Sequence, residues 1–159
     1  MAAMARTFNT TGPCDPRFHY MVPPEQRLPE ARTLVEQMGY FVVHAPRQTG
    51  KTTILRTLAR ALTAEGRFAA LHFSCEAAKA ADEDFETAER IILTAMQVRA
   101  REDLDPDLRP PPREPADAGT QIWTSLIRWA EACPRPLVLV FDEIDALRGA
   151  TLLSVLGQL

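Results

Sequence analysis

Three short apolar runs alternate along the chain with longer segments in which apolar residues recur at helical spacing. The runs are Tyr40 to His44 (YFVVH), Phe68 to Cys75 (FAALHFSC) and Leu137 to Phe141 (LVLVF). The first and the third show no alternation of apolar and polar positions, which is typical of strands buried on both faces of a parallel sheet. The pattern therefore predicts three strands separated by helices.

The segments beside these runs have the period of amphipathic helices. Leu55, Leu58 and Leu62 follow the first run at helical spacing. A second helix is predicted from Asp84 to Arg101, where acidic residues lie toward the positive end of the helix dipole. Strands that alternate with helices of this length predict parallel βαβ units with helices on both faces of the sheet. Further predicted elements are a short helix between Pro29 and Gly39, a helix around Trp123 to Ala130, and a last apolar stretch from Leu152 to Leu156.

Two segments show no sustained period. The residues up to Pro24 contain turn formers and are predicted to be an extended lead-in rather than a packed element. Asp105 to Ala116 holds five prolines in twelve residues, so a surface loop with polyproline character is predicted there. We expect a lead-in with a short helix over residues 1–38 and a core over residues 39–159.

Charge, cysteines and hydropathy narrow the class of protein. A net charge of −3 over 159 residues gives no basic footprint, so nucleic-acid binding is not indicated. Cys14, Cys75 and Cys133 lack the paired spacing of a zinc site or a disulfide framework, which favours a reducing cytoplasm. The longest purely apolar run, Leu137 to Phe141, is far too short to span a membrane.

The segment Ala45 to Thr52 (APRQTGKT) has the spacing of a Walker A phosphate loop, with Ala in place of the usual first Gly. Gly50 lets the backbone approach phosphate oxygens, Lys51 reaches the β and γ phosphates of ATP, and the Thr52 hydroxyl ligates Mg²⁺. Lys51 is also expected to act in catalysis. The predicted nucleotide-binding residues are Pro46, Arg47, Gln48, Thr49, Gly50, Lys51, Thr52 and Thr53.

Two carboxylates follow the third apolar run directly. Asp142 and Glu143 are thus predicted at the carboxyl end of a strand, where open α/β sheets bind ligands. Asp142 matches the Walker B role of holding Mg²⁺ or its water, together with Thr52. Glu143 is the predicted catalytic carboxylate, which polarises the attacking water as a general base or orienting group.

The two motif segments resemble those of the additional-strand P-loop ATPases. GYFVVHAPRQTGKTT and LVLVFDEID are similar to the prokaryotic AAA-like ATPases, and so is the lead-in FNTTGPCDPRFHYMVPPEQR. The resemblance implies an α/β three-layer P-loop NTPase fold with a parallel sheet in the strand order 5-1-4-3-2, incomplete at the C-terminus. Because no sensor residue or arginine finger has a candidate position, the chain resembles the front part of a longer protein. Unpaired strand edges then predict poor stability in isolation.

These features predict Mg-ATP binding and hydrolysis that drives or switches a conformational change. A protein partner or homo-oligomer is compatible with that function. Two alternatives stay open, namely a nucleotide or small-molecule kinase and a nucleotide-gated interaction module or fragment with negligible turnover. A kinase needs an Arg-rich lid that is not evident. In the lead-in, His19, Tyr20 and Met21 are candidates either for an adenine pocket or for a mobile tail.

Overall fold

The computed structural model describes residues 6–9, 17–20, 24–46 and 49–159. Of the residues singled out above, Cys14, Met21, Arg47 and Gln48 lie outside these ranges. The chain forms two compact units, Met1–Leu58 and Ala59–Leu159. The predicted division at residue 38 stays a prediction.

Among its described residues, the first unit contains two short helices and the start of a third. Helix α1 spans Pro24–Arg27, α2 spans Ala31–Glu36, and α3 spans Lys51–Ala64, which continues into the second unit. Within the predicted extended lead-in, Thr7 and His19 form a parallel bridge, and α1 begins at its last residue, Pro24. Short backbone hydrogen bonds stabilise that bridge, so a turn-rich sequence still acquires local structure.

The strand predicted at Tyr40 to His44 is wrong. This segment forms no strand, and Tyr40 and Val42 are 89% and 91% exposed. A strand requires a neighbouring strand with which to exchange backbone hydrogen bonds, and neither strand of the described sheet pairs with this segment. An apolar run of this kind indicates side chains that are suited to a buried strand, but it does not show that another strand is available to pair with it.

The second unit contains a parallel pair of strands. β1 spans Ala69–Ser74 and β2 spans Leu137–Asp142, in agreement with the second and third predicted strands. Ala69 pairs with Leu137, and Ser74 pairs with Asp142. Because the strands are parallel and in this register, both end at one edge of the sheet.

A helix packs on one face of this pair. Helix α4 spans Phe85–Asp103, close to the predicted range, and the Asp84 side chain caps its N-terminus by accepting from Thr87 N. The fully buried side chains of β1 and α4 form one apolar core. The Phe73 and Phe141 rings meet edge to face in it, with centroids 4.7 Å apart. Other members of the core are Leu71, Ile92, Leu93 and Met96.

Two further helices complete the second unit. Helix α5 spans Gln121–Ala132 and α6 spans Gly149–Gly157, at the places where the periodicity predicted a helix and a last apolar stretch. Buried Glu89 on α4 accepts hydrogen bonds from Gly119 N, at the entry to α5, and from Gln158 Nε2, after α6. This carboxylate ties the three helices together.

The proline-rich segment is not entirely a surface loop. It contains a short 3₁₀ turn, Pro106–Leu108, whose last side chain is completely buried. The indole Nε1 of buried Trp129 donates to the Leu108 carbonyl at 2.9 Å. An apolar residue among the prolines thus anchors the segment to α5. Trp123, in contrast, is half-exposed.

Candidate functional site

The predicted phosphate loop ends at a position that favours glycine. Gly50 has a φ of +80°, where other residues suffer steric strain from Cβ. Helix α3 begins at the next residue, Lys51, and Ile54 N donates to the Gly50 carbonyl at 3.0 Å. The first N–H groups of a helix point toward the positive end of its dipole, which is how helix N-termini bind phosphates.

Hydrogen bonds within the first unit also hold the end of this loop. The Thr49 hydroxyl donates to the Pro46 carbonyl at 2.8 Å, so the loop closes on itself. Arg27 Nη1 donates to the Thr49 carbonyl, also at 2.8 Å. Sequence analysis missed Arg27, because it lies 22 residues from its partner and belongs to no phosphate-loop pattern. Of the described loop residues, Pro46 and Gly50 are exposed, whereas Thr49, Lys51, Thr52 and Thr53 are partly buried.

The carboxylate of Asp142 is buried at the end of β2. Only 2% of this residue is exposed. Its Oδ2 lies 3.0 Å from His72 Nε2 on β1, and its Oδ1 accepts from Glu143 N at 3.0 Å. Its backbone carbonyl accepts from Cys75 N at 2.8 Å, which extends the strand pairing by one step. Both carboxylate oxygens therefore have protein partners.

Glu143 has a backbone conformation that is uncommon for a residue with a side chain. Its φ of 58° and ψ of 30° lie in the left-handed region, which costs about 1–2 kcal/mol. The Ser74 hydroxyl donates to Glu143 Oε2 at 2.6 Å and accepts from Glu76 N at 3.0 Å. The left-handed turn is thus accompanied by a short hydrogen bond from the end of β1, and such strained residues cluster at functional sites.

The buried thiol of Cys75 lies close to the two carboxylates at the carboxyl end of β2. Burial, the main cause, and the negative charges of Asp142 and Glu143, which contribute less, together raise the pKa of the Cys75 thiol to about 12. The thiol is therefore protonated near neutral pH. A protonated, buried thiol is a poor nucleophile and a poor metal ligand.

His72 and Ser74 are the two partners that sequence analysis did not connect to the carboxylates. His72 lies inside β1 and is 7% exposed. A signal was available, because two polar residues at spacing i, i+2 interrupt an otherwise apolar strand. This spacing puts them on one face of β1. Without the strand register, their target could not be identified.

The donor chemistry of the candidate residues suits magnesium. Mg²⁺ prefers oxygen ligands and is commonly held by one or two protein groups together with substrate phosphates. Asp142 offers carboxylate oxygens, and Thr52, at the start of α3, offers a hydroxyl. No group of three or more His, Cys, Asp or Glu side chains in the described ranges is arranged to hold a metal by itself. A magnesium ion bound with a nucleotide does not need such a cluster.

The fold and these residues define the class of protein before any comparison. Parallel strands with carboxylates at their carboxyl edge and a GKT sequence that opens a helix are features of P-loop nucleotide-binding α/β proteins. A family model described as the AAA ATPase domain matches residues 28–159, and the chain belongs to this family. Family membership supports ATP binding and, in general terms, ATPase activity, which typically uses Mg²⁺.

The other comparisons add no relative. No curated protein and no solved structure matches the chain significantly. Within the described ranges, no helix combines the length and the apolar character needed to cross a membrane. The cytoplasmic location and the individual roles of the site residues stay predictions.

Proposed function

We propose that this chain binds Mg-ATP and hydrolyses it, with the phosphate loop holding the phosphates and the Asp142–Glu143 pair serving the metal and the attacking water. The observation that carries the proposal is the state of the carboxylate pair. Asp142 is buried and hydrogen-bonded, and Glu143 is held in a left-handed turn next to it. An incidental acidic strand end would be solvated and would not need such a conformation.

The phosphate half of the proposed function rests on the start of α3. Lys51 carries the positive charge at its first residue, directly after Gly50. Its ammonium group would bind phosphate oxygens of ATP, while backbone N–H groups of the helix N-terminus would bind the rest. Thr52 would hold magnesium through its hydroxyl. Arg27, which bonds to the Thr49 carbonyl, supports the loop and adds positive charge to it.

The hydrolytic half rests on the carboxylates. Asp142 would hold magnesium or a water bound to it, and the ion would neutralise charge on the phosphates. Glu143 would orient the attacking water and accept its proton. In the step, the water oxygen bonds to the γ phosphorus, the bond between that phosphorus and the β–γ bridging oxygen breaks, and ADP leaves. Coupling of this step to a conformational change in a protein partner or a second copy is part of the proposal.

The test of the phosphate half compares the two lysines of the chain. Lys51→Ala should lower ATP affinity by about tenfold or more, because a charge-assisted hydrogen bond contributes about 1.5–3 kcal/mol. Lys79→Ala, which removes an exposed lysine from the turn before α4, should leave the affinity unchanged. Isothermal titration with ATP and Mg²⁺ measures both. An unchanged affinity in Lys51→Ala would rule out the phosphate-loop role.

The test of the hydrolytic half uses an isosteric change. Glu143→Gln should bind ATP as tightly as the wild type but release phosphate about 10²- to 10⁴-fold more slowly, since it lacks a base. Glu131→Gln, on the exposed side of α5, is the matched control. A wild-type protein that binds ATP and releases no phosphate would instead favour the nucleotide-gated interaction module. Transfer of phosphate to a small acceptor rather than to water would favour the kinase.

A further inference from the structure

The buried contact between His72 and Asp142 has no role in the function described so far. Side-chain exposure is 8% for His72 and 1% for Asp142, and the two atoms in contact, Nε2 and Oδ2, lie 3.0 Å apart. Burial of two polar side chains is unfavourable unless each finds a partner. The residue that pairs with His72 on β2 is the apolar Val140. Packing of the two strands at this position therefore does not require a polar side chain.

The chemistry of the pair fixes the direction of the hydrogen bond. An ionised carboxylate only accepts, so an Asp142 that binds a metal requires His72 Nε2 to carry a hydrogen and donate it. Glu143 N donates to the other oxygen at 3.0 Å. Two donors on two different oxygens fix the rotation of the carboxylate plane. A carboxylate oxygen can accept more than one hydrogen bond or ligand, so a bond from His72 does not prevent metal binding by Asp142.

The strand register brings His72 and Asp142 to neighbouring positions. Ser74 pairs with Asp142 and His72 pairs with Val140, so His72 is the diagonal neighbour of Asp142 across the strands. Side chains two residues apart share a face of a strand, which places His72 with Ser74 and Asp142. Leu71 points to the opposite face and is completely buried in the core. The strand register therefore brings the imidazole of His72 beside the carboxylate of Asp142.

We propose that His72 is a positioning residue for magnesium binding, whose Nε2–H holds the Asp142 carboxylate in the orientation that the metal or its bound water requires. This inference rests on the proposed Mg-ATP function. Hydrogen-bonding partners of metal ligands commonly change metal affinity by about 10- to 100-fold when they are removed. His72 would thus contribute to magnesium affinity without touching the ion or the nucleotide.

The test measures how much Mg²⁺ strengthens nucleotide binding. For each variant, the ratio of the ATP Kd without Mg²⁺ to the Kd with Mg²⁺ is determined by titration. His72→Leu should reduce this ratio by about tenfold or more. His72→Gln, whose amide can donate to the same oxygen, should restore it to within about threefold of wild type. Leu71→Ala, on the opposite face of the same strand, should lower the melting temperature but leave the ratio unchanged.

A measurement on the wild-type protein covers the case in which His72→Leu does not fold. Long-range ¹H–¹⁵N correlation spectra report which imidazole nitrogen carries the hydrogen, and we expect it on Nε2 of His72. A hydrogen on Nδ1 alone would overturn the proposal, as would an unchanged ratio in folded His72→Leu or a ratio in His72→Gln no better than in His72→Leu. These results would leave ATP binding itself intact. A wild-type protein that binds no ATP would overturn both this inference and the proposed function.

Discussion

The phosphate loop and the carboxyl edge of the β1–β2 pair are built in different ways. The loop depends on backbone features, namely the positive φ of Gly50 and the start of α3 at Lys51, and its described side chains are partly or fully exposed. The carboxyl edge depends on side chains. Asp142 and Glu143 are bonded to His72 and Ser74, which lie on the neighbouring strand.

The difference determines what a substitution does to each region. The described side chains of the loop are partly or fully exposed, so removal of one that serves only the ligand should cost little packing. A side chain at the carboxyl edge serves both the proposed chemistry and the fold, since its removal leaves a buried partner without a hydrogen bond. Function and stability should therefore separate in the loop and coincide at the carboxyl edge.

The largest effect is expected for Asp142→Ala. It should lower phosphate release by about 100-fold or more, because loss of the proposed metal ligand would remove charge stabilisation in the transition state. It should also lower the free energy of unfolding by about 1–3 kcal/mol, because His72 Nε2 loses its buried partner. Urea denaturation followed by circular dichroism measures the second effect.

Two controls decide whether the regions differ as described. Asp107→Ala, at an exposed position in the Pro106–Leu108 turn, should change neither quantity. Lys51→Ala should lower ATP affinity by about tenfold or more while the free energy of unfolding stays within about 0.5 kcal/mol of wild type. If Lys51→Ala destabilises the protein as much as Asp142→Ala, the contrast between the two regions does not hold.

A smaller effect is expected when backbone strain is introduced into the loop. Gly50→Ala places a Cβ at a φ of +80° and should weaken ATP binding by about tenfold, since about 1–2 kcal/mol of strain opposes the loop conformation. Gly66 has nearly the same φ, +82°, and open space around it. Gly66→Ala should therefore lower the free energy of unfolding by about 1–2 kcal/mol as well, but it should leave the ATP affinity unchanged. Equal losses of affinity in both variants would show that strain acts through overall stability.

The contrast between local backbone features and contacts across strands also explains which elements could be predicted from the sequence. The strands at Ala69–Ser74 and Leu137–Asp142, and helix α4, follow from local patterns and were predicted, whereas the side-chain cap at Asp84 was not. Tyr40 to His44 shows the limit, because strand formation depends on a pairing segment that periodicity cannot supply. The same pattern that predicts a buried strand leaves Tyr40 and Val42 exposed here.

At the candidate site, motif spacing identified residues whose structural neighbours are also close to them in the sequence. Gly50 and Lys51 are adjacent to each other and to the helix they open, so the sequence was sufficient to name them. His72 and Asp142 lie 70 residues apart and meet only through the strand register. A contact of this kind depends on the pairing of two strands, and no local signal encodes it.

A pH-dependent effect on stability is expected at the carboxyl edge. The pKa of Cys75 is about 12 in the folded protein, against an ordinary value of 9.0. Between these values the folded state binds more protons than the unfolded state, so stability should fall as pH rises from about 9 toward about 12. In Cys75→Ala this contribution to the slope should be absent. Denaturation midpoints across the alkaline range test it, and equal slopes in both proteins would contradict it.

The smallest effect is expected away from the carboxyl edge, at the N-terminal cap of α4, which packs on β1. The Thr87 N–H bond to Asp84 holds the pKa of this carboxyl below its ordinary value of 3.8. Its stabilising contribution is therefore present above that value and is lost as pH falls through the lower pKa of the folded state. The melting temperature of Asp84→Ala should be lower than that of wild type at neutral pH, and the difference should shrink on acidification. Asp105→Ala, which removes a side chain that makes no capping bond, should show no such difference at any pH.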